Sequence, residues 1–258
     1  MDGRSILFWI FLLVILYYIF KYLLTDNTSL SNTVQSGQIM STIDPSHLGN
    51  NITSPSNFTY SIWFNINDWN YRYGEPKVLF GRMGQRSDSG DGDVAGLSGY
   101  DPCPAVVFGA LNNELLISIG CFVASDTDTT DTNYSPNSNT ITHNCLVSNI
   151  PIQKWVNLLI SVYGRTLDVY IDGKLVKTCL MPGIAQIEPS ASLFLTPMGG
   201  FSGWTSRFQY WPHSTNTQTA WEIYQRGYGA GLLGTLLGQY QLQLSFLHNG
   251  EVTKSLSI

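Results

Sequence analysis

The stretch Ile150–Cys179, IPIQKWVNLLISVYGRTLDVYIDGKLVKTC, constrains the fold more than any other part of the chain. Trp155–Tyr163 is rich in β-branched and aromatic residues, and a Gly164-Arg165 turn separates it from the alternating run Leu167–Ile171. An Asp172-Gly173 turn follows. Two β runs joined at a glycine-containing turn predict an antiparallel hairpin. We expect the alternating aliphatic side chains of the second run to face a core, and the Asp172-Gly173 turn to lie at a sheet edge.

The hairpin is one part of a longer series of short β runs separated by turn signals. Further strands are predicted at Asn57–Ile66, Lys77–Arg82, Ala105–Gly109, Leu115–Val123, Ile141–Val147, Leu175–Leu180, Ala191–Thr196 and Gly203–Trp211. About ten such strands predict an all-β sandwich or jelly roll. Asn216–Arg226 is the one good candidate for a helix of the soluble part, and it ends at Gly227 as helices commonly do.

An apolar run near the N-terminus predicts a membrane anchor. Ile6–Leu24 would form a helix of roughly 28 Å, long enough to cross the hydrocarbon core of a bilayer. Trp9 and Tyr17 are suited to the membrane interface, and Lys21 can extend its ammonium group to the headgroups. A cleaved signal peptide is the rival interpretation. The run is longer than such peptides and no small-x-small site follows it, so we favour a retained single-pass anchor.

Composition divides the rest of the chain. Residues 1–24 form the anchor, 25–51 are a Ser/Thr/Asn-rich linker with a short strand near Gln38–Ile43, 52–227 are the β domain, and 228–258 are a C-terminal arm. The arm is predicted to hold a β-hairpin, with strands at Tyr240–Leu247 and Val252–Ile258. Charged residues make up only 12%, which suits a surface that contacts partners. The net charge of −5, with 13 thinly spread basic residues, argues against nucleic-acid binding.

Three segments together resemble laminin G-like domains of the concanavalin A-like lectin/glucanase superfamily. They are FTYSIWFNINDWNYRYGEPKVLFGR (Phe58–Arg82), PIQKWVNLLISV with LDVYIDGKLV, and GGFSGWTSRFQYW with AWEIYQRG (Gly199–Gly227). The resemblance implies a jelly-roll sandwich. The combination of N-D-W-x-Y-R-Y-G and G-G-F-x-G is also similar to laminin G-like proteins of large icosahedral DNA viruses. That resemblance implies a membrane-anchored minor capsid protein, placed in the virion between an internal membrane and the capsid.

The sequence provides weak support for catalysis or metal binding. Glucanases of the superfamily need clustered carboxylates, and the five Glu residues are isolated from other acids at two-residue spacing. Asp88, Asp91 and Asp93 form a weak calcium candidate, and we favour a solvated Gly-rich loop as the explanation for them. The G-x-G-x-x-G match at Gly229–Gly234 lacks the strand-to-helix context of a dinucleotide site. We therefore predict a protein that is not an enzyme and has no cofactor, with calcium left open.

The cysteines at 103, 121, 145 and 179 allow three pairings. Cys121 and Cys145 flank a long polar loop, Ser125–Thr140, so their strands could be neighbours and a bridge between them is the pairing we consider. In a reducing compartment all four would be buried thiols, and the sequence does not choose between these interpretations.

Two functions remain. The first is a membrane-anchored structural protein that binds the bilayer through residues 6–24 and other proteins, such as capsid proteins, through its sandwich. The second is a carbohydrate-binding surface protein. Asp68, Trp69, Tyr71 and Tyr73 would supply the aromatic and polar groups of a sugar site, although this segment also matches the family's ordinary turn.

Overall fold

The computed structural model describes residues 9, 11–18, 28–48, 56–83, 85–86, 97–98, 102–122, 134–135, 140–229, 243–248 and 251–257. Its strands are β1 (Ser29–Ser31), β2 (Gln35–Ser36), β3 (Ser41–Ile43), β4 (Phe58–Asp68), β5 (Lys77–Arg82), β6 (Gln85–Arg86), β7 (Leu97–Ser98), β8 (Ala105–Phe108), β9 (Glu114–Phe122), β10 (Tyr134–Ser135), β11 (Thr140–Ser148), β12 (Trp155–Tyr163), β13 (Thr166–Ile171), β14 (Lys174–Leu180), β15 (Leu193–Leu195), β16 (Ser202–Trp211), β17 (Gln243–His248) and β18 (Glu251–Ser257). A 3-10 helix spans Pro45–Leu48, and an α-helix that we call the covering helix spans Thr217–Gln225.

Two antiparallel sheets form a β-sandwich. Sheet A has the order β1-β16-β4-β12-β13-β14, with β2 also paired to β16, and sheet B has the order β10-β11-β9-β8-β5-β15-β3. Separate pairs are formed by β6 with β7 and by β17 with β18. The all-β prediction is therefore confirmed, and so is the predicted hairpin of β12 and β13.

The two sheets enclose one main core built from alternating side chains. On β4 the core-facing residues are Phe58, Tyr60, Ile62, Phe64 and Ile66, the five that alternate in the sequence. The predicted inward residues of β13 also belong to this core, namely Leu167, Val169 and Ile171. Sheet B contributes side chains from β5, β8, β9, β11 and β15. The period of two along each strand thus places the apolar residues between the sheets.

Part of the outer face of sheet A is also buried, which the sequence did not predict. Ala220 and Ile223 of the covering helix pack on Leu159 and Tyr170. Beside this contact, small polar side chains of the sheet bind the backbone of the C-terminal segment. Thr59 Oγ1 donates to the His213 carbonyl oxygen at 2.8 Å, Thr215 N donates to Ser161 Oγ at 2.8 Å, and Ser206 Oγ donates to the Tyr228 carbonyl oxygen at 2.8 Å. These bonds explain why polar residues occupy a buried face.

The predicted linker at 25–51 needs a correction in its described part, residues 28–48. There β1 and β2 pair with β16 in sheet A, and β3 pairs with β15 in sheet B. The short strand expected near Gln38–Ile43 is confirmed as β3. Strands of two or three residues are too short to show an apolar period, and their backbone hydrogen bonds do not depend on side-chain type. A polar composition therefore did not distinguish them from a tether.

The predicted Cys121–Cys145 disulfide is wrong, because Cys145 is bonded to Cys179. The expected neighbours β9 and β11 do pair, but Cys121 lies opposite Ile141, four positions along the strand from Cys145. Four strand residues correspond to about 13 Å, beyond the ~7 Å between Cα atoms that a disulfide can join. Cys121 is instead a buried free thiol, as is Cys103.

The N-terminal run is described at residue 9 and at residues 11–18, all of them helical and exposed. The exposed fractions of Trp9 and Tyr17 are 56% and 62%. The predicted anchor residues Ile6, Lys21 and Leu24 lie outside the described residues. Within the part of the chain that the structure describes, no helix has both the length and the apolar character needed to span a membrane.

Candidate functional site

A cleft of about 420 Å³ opens between the two sheets at one side of the sandwich. We call it the mouth. One wall is residues 141–144 of β11 in sheet B, and the opposite wall is residues 180–182 at the end of β14 in sheet A, with Arg165 of the β12–β13 turn. On the outer side of β11, β10 pairs only with Thr140 and Ile141, and β14 is the last strand of sheet A. The mouth therefore lies where two edge strands meet.

Arg165 is held at the mouth by hydrogen bonds to Met181, the residue directly after the C-terminal end of β14. Arg165 Nε donates to the Met181 carbonyl oxygen at 3.0 Å, and Met181 N donates to the Arg165 carbonyl oxygen at 2.8 Å. This reciprocal pair holds the turn and the chain after β14 together. Among the described residues, only Nε of the guanidinium has a hydrogen-bond partner.

His143 lies on the core-facing side of β11, in register between Ile141 and Cys145. Its Nε2 is buried and has no hydrogen-bond partner among the described groups. Burial lowers the pKa of His143 from its ordinary value of 6.5, so the imidazole is neutral at pH 7. The neighbouring Asn144 is outward-facing, and its Oδ1 accepts a hydrogen bond from Ser118 Oγ at 2.7 Å.

A second feature is a chain of aromatic contacts across the outer face of sheet A. Trp221 contacts Tyr224, which stacks on Trp63 at 5.5 Å, and Tyr228 contacts Trp63 at 6.0 Å and stacks on Trp155 at 4.5 Å. Two of these rings are partly exposed, Trp221 at 41% and Tyr228 at 42%. We call these five residues the aromatic chain. The rings of Tyr224 and Tyr228 stack on the tryptophans of sheet A, and this stacking restricts the orientation of the aromatic groups.

Trp204 extends this surface along sheet A. It is 45% exposed and lies in register with Asn65 of β4, which on its other side is in register with Trp155. An amide is therefore placed between two tryptophans on three neighbouring strands. The sequence showed these residues only as members of separate strands, because the register that unites them is not encoded in any one segment.

The residues predicted for a sugar site are largely used in packing. Trp69 packs against the main core and lies beneath the ammonium group of Lys77, which is 5.3 Å from the ring centroid. Tyr71 donates its hydroxyl to the Gly199 carbonyl oxygen at 3.1 Å, and Asp68 Oδ1 accepts from Asn70 N at 2.9 Å. Tyr73 is exposed at 61%. The turn thus anchors the β4–β5 connection, which is the role its resemblance to the family turn implies.

The calcium candidates Asp88, Asp91 and Asp93 lie outside the described residues, and so does most of the loop predicted at Ser125–Thr140. Among the residues that the structure does describe, no group of three His, Cys, Asp or Glu side chains could hold a metal ion. The calcium prediction therefore stays a prediction.

Sequence reasoning missed Arg165 as a member of the mouth, and it missed the aromatic chain. Arg165 occupies a turn whose glycine neighbour already accounted for the local structure, so the sequence offered no separate signal for it. The aromatic chain had a weak signal, because Trp221 and Tyr224 are three residues apart on the predicted helix and therefore share a face.

Comparison with known proteins supports the fold. No protein-family model and no curated protein matches the sequence. Among solved structures, the receptor binding domain of botulinum neurotoxin D is similar at a TM-score of 0.51 and 11% identity, covering 77% of this chain and 52% of that chain. The botulinum neurotoxin serotype D binding domain is similar at a TM-score of 0.50 and 12% identity, covering 80% of this chain and 54% of that chain. The chain thus spans about half the length of these domains, and the likeness shows the β-sandwich fold alone.

Proposed function

We propose that this chain is a non-enzymatic, membrane-anchored interaction protein whose sandwich binds another protein of the same assembly. The observation that carries the proposal is the rigid, partly exposed aromatic surface formed by Trp204 and the aromatic chain. Tryptophan and tyrosine are the residues that contribute most to binding energy at protein interfaces, because they bury a large area and lose few rotamers. Rings that are already fixed by stacking lose still less freedom when a partner binds.

The anchor is the second part of the proposal. Residues 6–24 are apolar apart from Lys21 and the tyrosine hydroxyl groups, and the described helical residues 11–18 are all exposed. A helix that is apolar on every side is stable where its surroundings are apolar, as in a bilayer. The expected location is that of a single-pass membrane protein, with the sandwich held close to the membrane surface.

The resemblance stated above gives the proposal its most specific form. It is a laminin G-like, concanavalin A-like domain acting as a minor capsid protein that links the shell of a large DNA virus to its internal membrane. The Cys145–Cys179 bond fits a domain that matures under oxidising conditions. The two similar solved structures are described as binding domains, which fits a binding role for the same architecture.

Site-specific photo-cross-linking within the native assembly tests the protein contact. A photoreactive phenylalanine analogue replaces Trp204 in one variant and Tyr163 in a matched control. Tyr163 is 68% exposed and lies on β12, eight residues or about 26 Å along the strand from Trp155. We expect one abundant cross-linked partner from position 204 and little from position 163. Equal, diffuse cross-linking from both positions would contradict the proposed interface.

Flotation of the full chain with liposomes tests the anchor separately. We expect the full chain to float with the vesicles at high salt, and a variant lacking residues 6–24 to stay at the bottom of the gradient. Retention of flotation by the shortened variant would contradict the anchor but would leave the aromatic interface intact.

A carbohydrate-binding function is the second candidate, and the row of Trp155, Asn65 and Trp204 favours it. Sugar rings stack on exposed aromatic faces while amides bind their hydroxyl groups. Binding of the full chain to a panel of glycans, lost in Trp204→Ala and kept in Tyr163→Ala, would support this candidate. A panel without any binder would exclude it and leave the protein-binding proposal standing.

A further inference from the structure

The mouth is lined by residues of both sheets, and none of them belongs to the aromatic surface. Eight residues line it, and none of them is acidic. Arg165 is the one lining residue with a permanent charge, and Thr142, His143 and Asn144 supply neutral polar groups. A concave site with a cation and no carboxylate is electrostatically suited to a negative ligand.

Within the described part of the chain, the guanidinium of Arg165 uses only one of its nitrogen atoms to bind the protein, so the other two can bind such a ligand. Its Nε bonds the Met181 carbonyl oxygen, while no acidic side chain pairs with it among the described residues. The two Nη atoms form the end of the fork, which is the edge that meets two oxygens of a carboxylate, sulfate or phosphate. The backbone bond from Met181 N to the Arg165 carbonyl oxygen restricts the turn, so little conformational freedom would be lost on binding.

β11 also carries polar side chains beside the mouth. Asn144 faces outward, and its Oδ1 accepts a hydrogen bond from Ser118 Oγ. The Nε2 of His143 is a buried polar atom that no described protein group satisfies, which is uncommon in a folded domain. This unpartnered atom lies on the strand that forms one wall of the mouth.

We propose that the mouth binds a small organic ligand through an oxyanion group, with the exposed guanidinium of Arg165 as the charged anchor. The cleft volume of about 420 Å³ is far larger than a bare sulfate or acetate ion needs, and it falls within the range of small-molecule sites. The apolar side chains of Ile141, Leu180 and Met181 line the rest of the cleft and would contact the body of the ligand. This inference does not rest on the proposed function.

Calorimetric titration of the full chain in neutral detergent tests the inference. The probes are glucuronate, glucose 6-phosphate and glucose 6-sulfate, with glucose as the uncharged control. We expect at least one charged probe to bind and glucose to bind at least tenfold more weakly. Tighter binding of glucuronate would identify a carboxylate as the group that the site prefers. Tighter binding of the phosphate or sulfate ester would identify a tetrahedral oxyanion. Failure of all three charged probes to bind would overturn the inference.

Two charge-matched variants separate a built site from general attraction. Arg165→Gln and Lys174→Gln each remove one positive charge, and Lys174 is an exposed residue of β14 that does not line the mouth. We expect affinity to fall at least tenfold in Arg165→Gln and less than twofold in Lys174→Gln. Equal losses would show that the probe senses only net charge and would overturn the inference. If Arg165→Gln does not fold, Arg165→Lys takes its place, which keeps the charge but loses the fork, with a loss of several-fold expected and an unchanged affinity counting against the site.

Discussion

Arg82 shows how the sandwich encloses a cation, because its guanidinium is held by backbone carbonyl oxygens. The side chain is only 3% exposed, and its guanidinium bonds the carbonyl oxygens of Ala191 and Pro189, each at 3.4 Å. Burial raises the pKa of Tyr60 and of Tyr210, and the charge of Arg82 offsets part of that rise. The two phenols are therefore neutral at physiological pH, and the Ala191 and Pro189 carbonyl oxygens accept hydrogen bonds from the buried cation.

Replacement of Arg82 by Ala should lower the free energy of unfolding by about 3 kcal/mol, because it leaves a cavity and two carbonyl oxygens without a donor. Arg82→Lys keeps the charge but loses the fork, so we expect a smaller loss. Urea denaturation followed by tryptophan fluorescence measures both. An Ala variant as stable as the wild-type chain would mean that the carbonyl oxygens find water instead.

His143, on the wall of the mouth, should make the stability of the fold depend on pH. Burial lowers its folded-state pKa below the ordinary 6.5, so the unfolded chain binds a proton more readily than the folded one. Stability attributable to this residue is therefore complete above pH 6.5, and it declines as the pH falls from 6.5 towards the lowered pKa. We expect His143→Asn to flatten this part of the stability profile, measured by urea denaturation between pH 4.5 and 8. Parallel profiles for wild type and variant would contradict the expectation, since every other group titrates equally in both.

At the scale of single elements, the covering helix depends on its first residues. The Oδ1 of Asn216 accepts a hydrogen bond from Thr219 N at 2.9 Å and another from Thr219 Oγ1 at 3.1 Å. Asn216→Ala should cost about 1 kcal/mol, whereas Asn216→Ser keeps an acceptor and should cost a few tenths. Amide hydrogen exchange would locate the effect, which we expect in the helix and in the outer-face residues of sheet A beneath it. A loss spread evenly over the sandwich would contradict a local role for the cap.

The long elements could be predicted from the sequence, and the shortest ones only in part. Strands β5 and β12 were predicted residue for residue, and the helix was predicted within one residue at each end, with Gly227 marking its end. These elements carry their own signal, either an apolar period or a terminating residue. The two- and three-residue strands β1 and β2 were not predicted, and both are formed by pairing with β16. Their cause lies in the sheets and not in their own sequence.

At the scale of the whole molecule, register is the information that the sequence lacked. The strands bearing Cys121 and Cys145 were correctly expected to be neighbours, yet the register places these two residues four positions apart. Both the mouth and the Trp155–Asn65–Trp204 row likewise arise from residues that are distant in the chain and adjacent only through pairing. A single sequence predicts which residues face the core, but which of them meet across strands follows from the assembled sheets.

The Cys145–Cys179 bond joins β11 of sheet B to β14 of sheet A, the two edge strands on either side of the mouth. Beside it, Lys177 Nζ donates to the Leu146 carbonyl oxygen at 2.7 Å, a second contact between the same strands. Because the bond closes a loop across 34 positions, its loss should cost about 3–4 kcal/mol through the greater freedom of the unfolded chain.

We expect the Cys145→Ser/Cys179→Ser variant to unfold at a lower urea concentration and to exchange amide hydrogens faster in β11 and β14 than in the central strand β4. Reductant provides the matched control, since it should destabilise the wild-type chain by a similar amount and leave the double variant unchanged. If the double variant were as stable as the oxidised wild type, the core alone would hold the two sheets together at this edge.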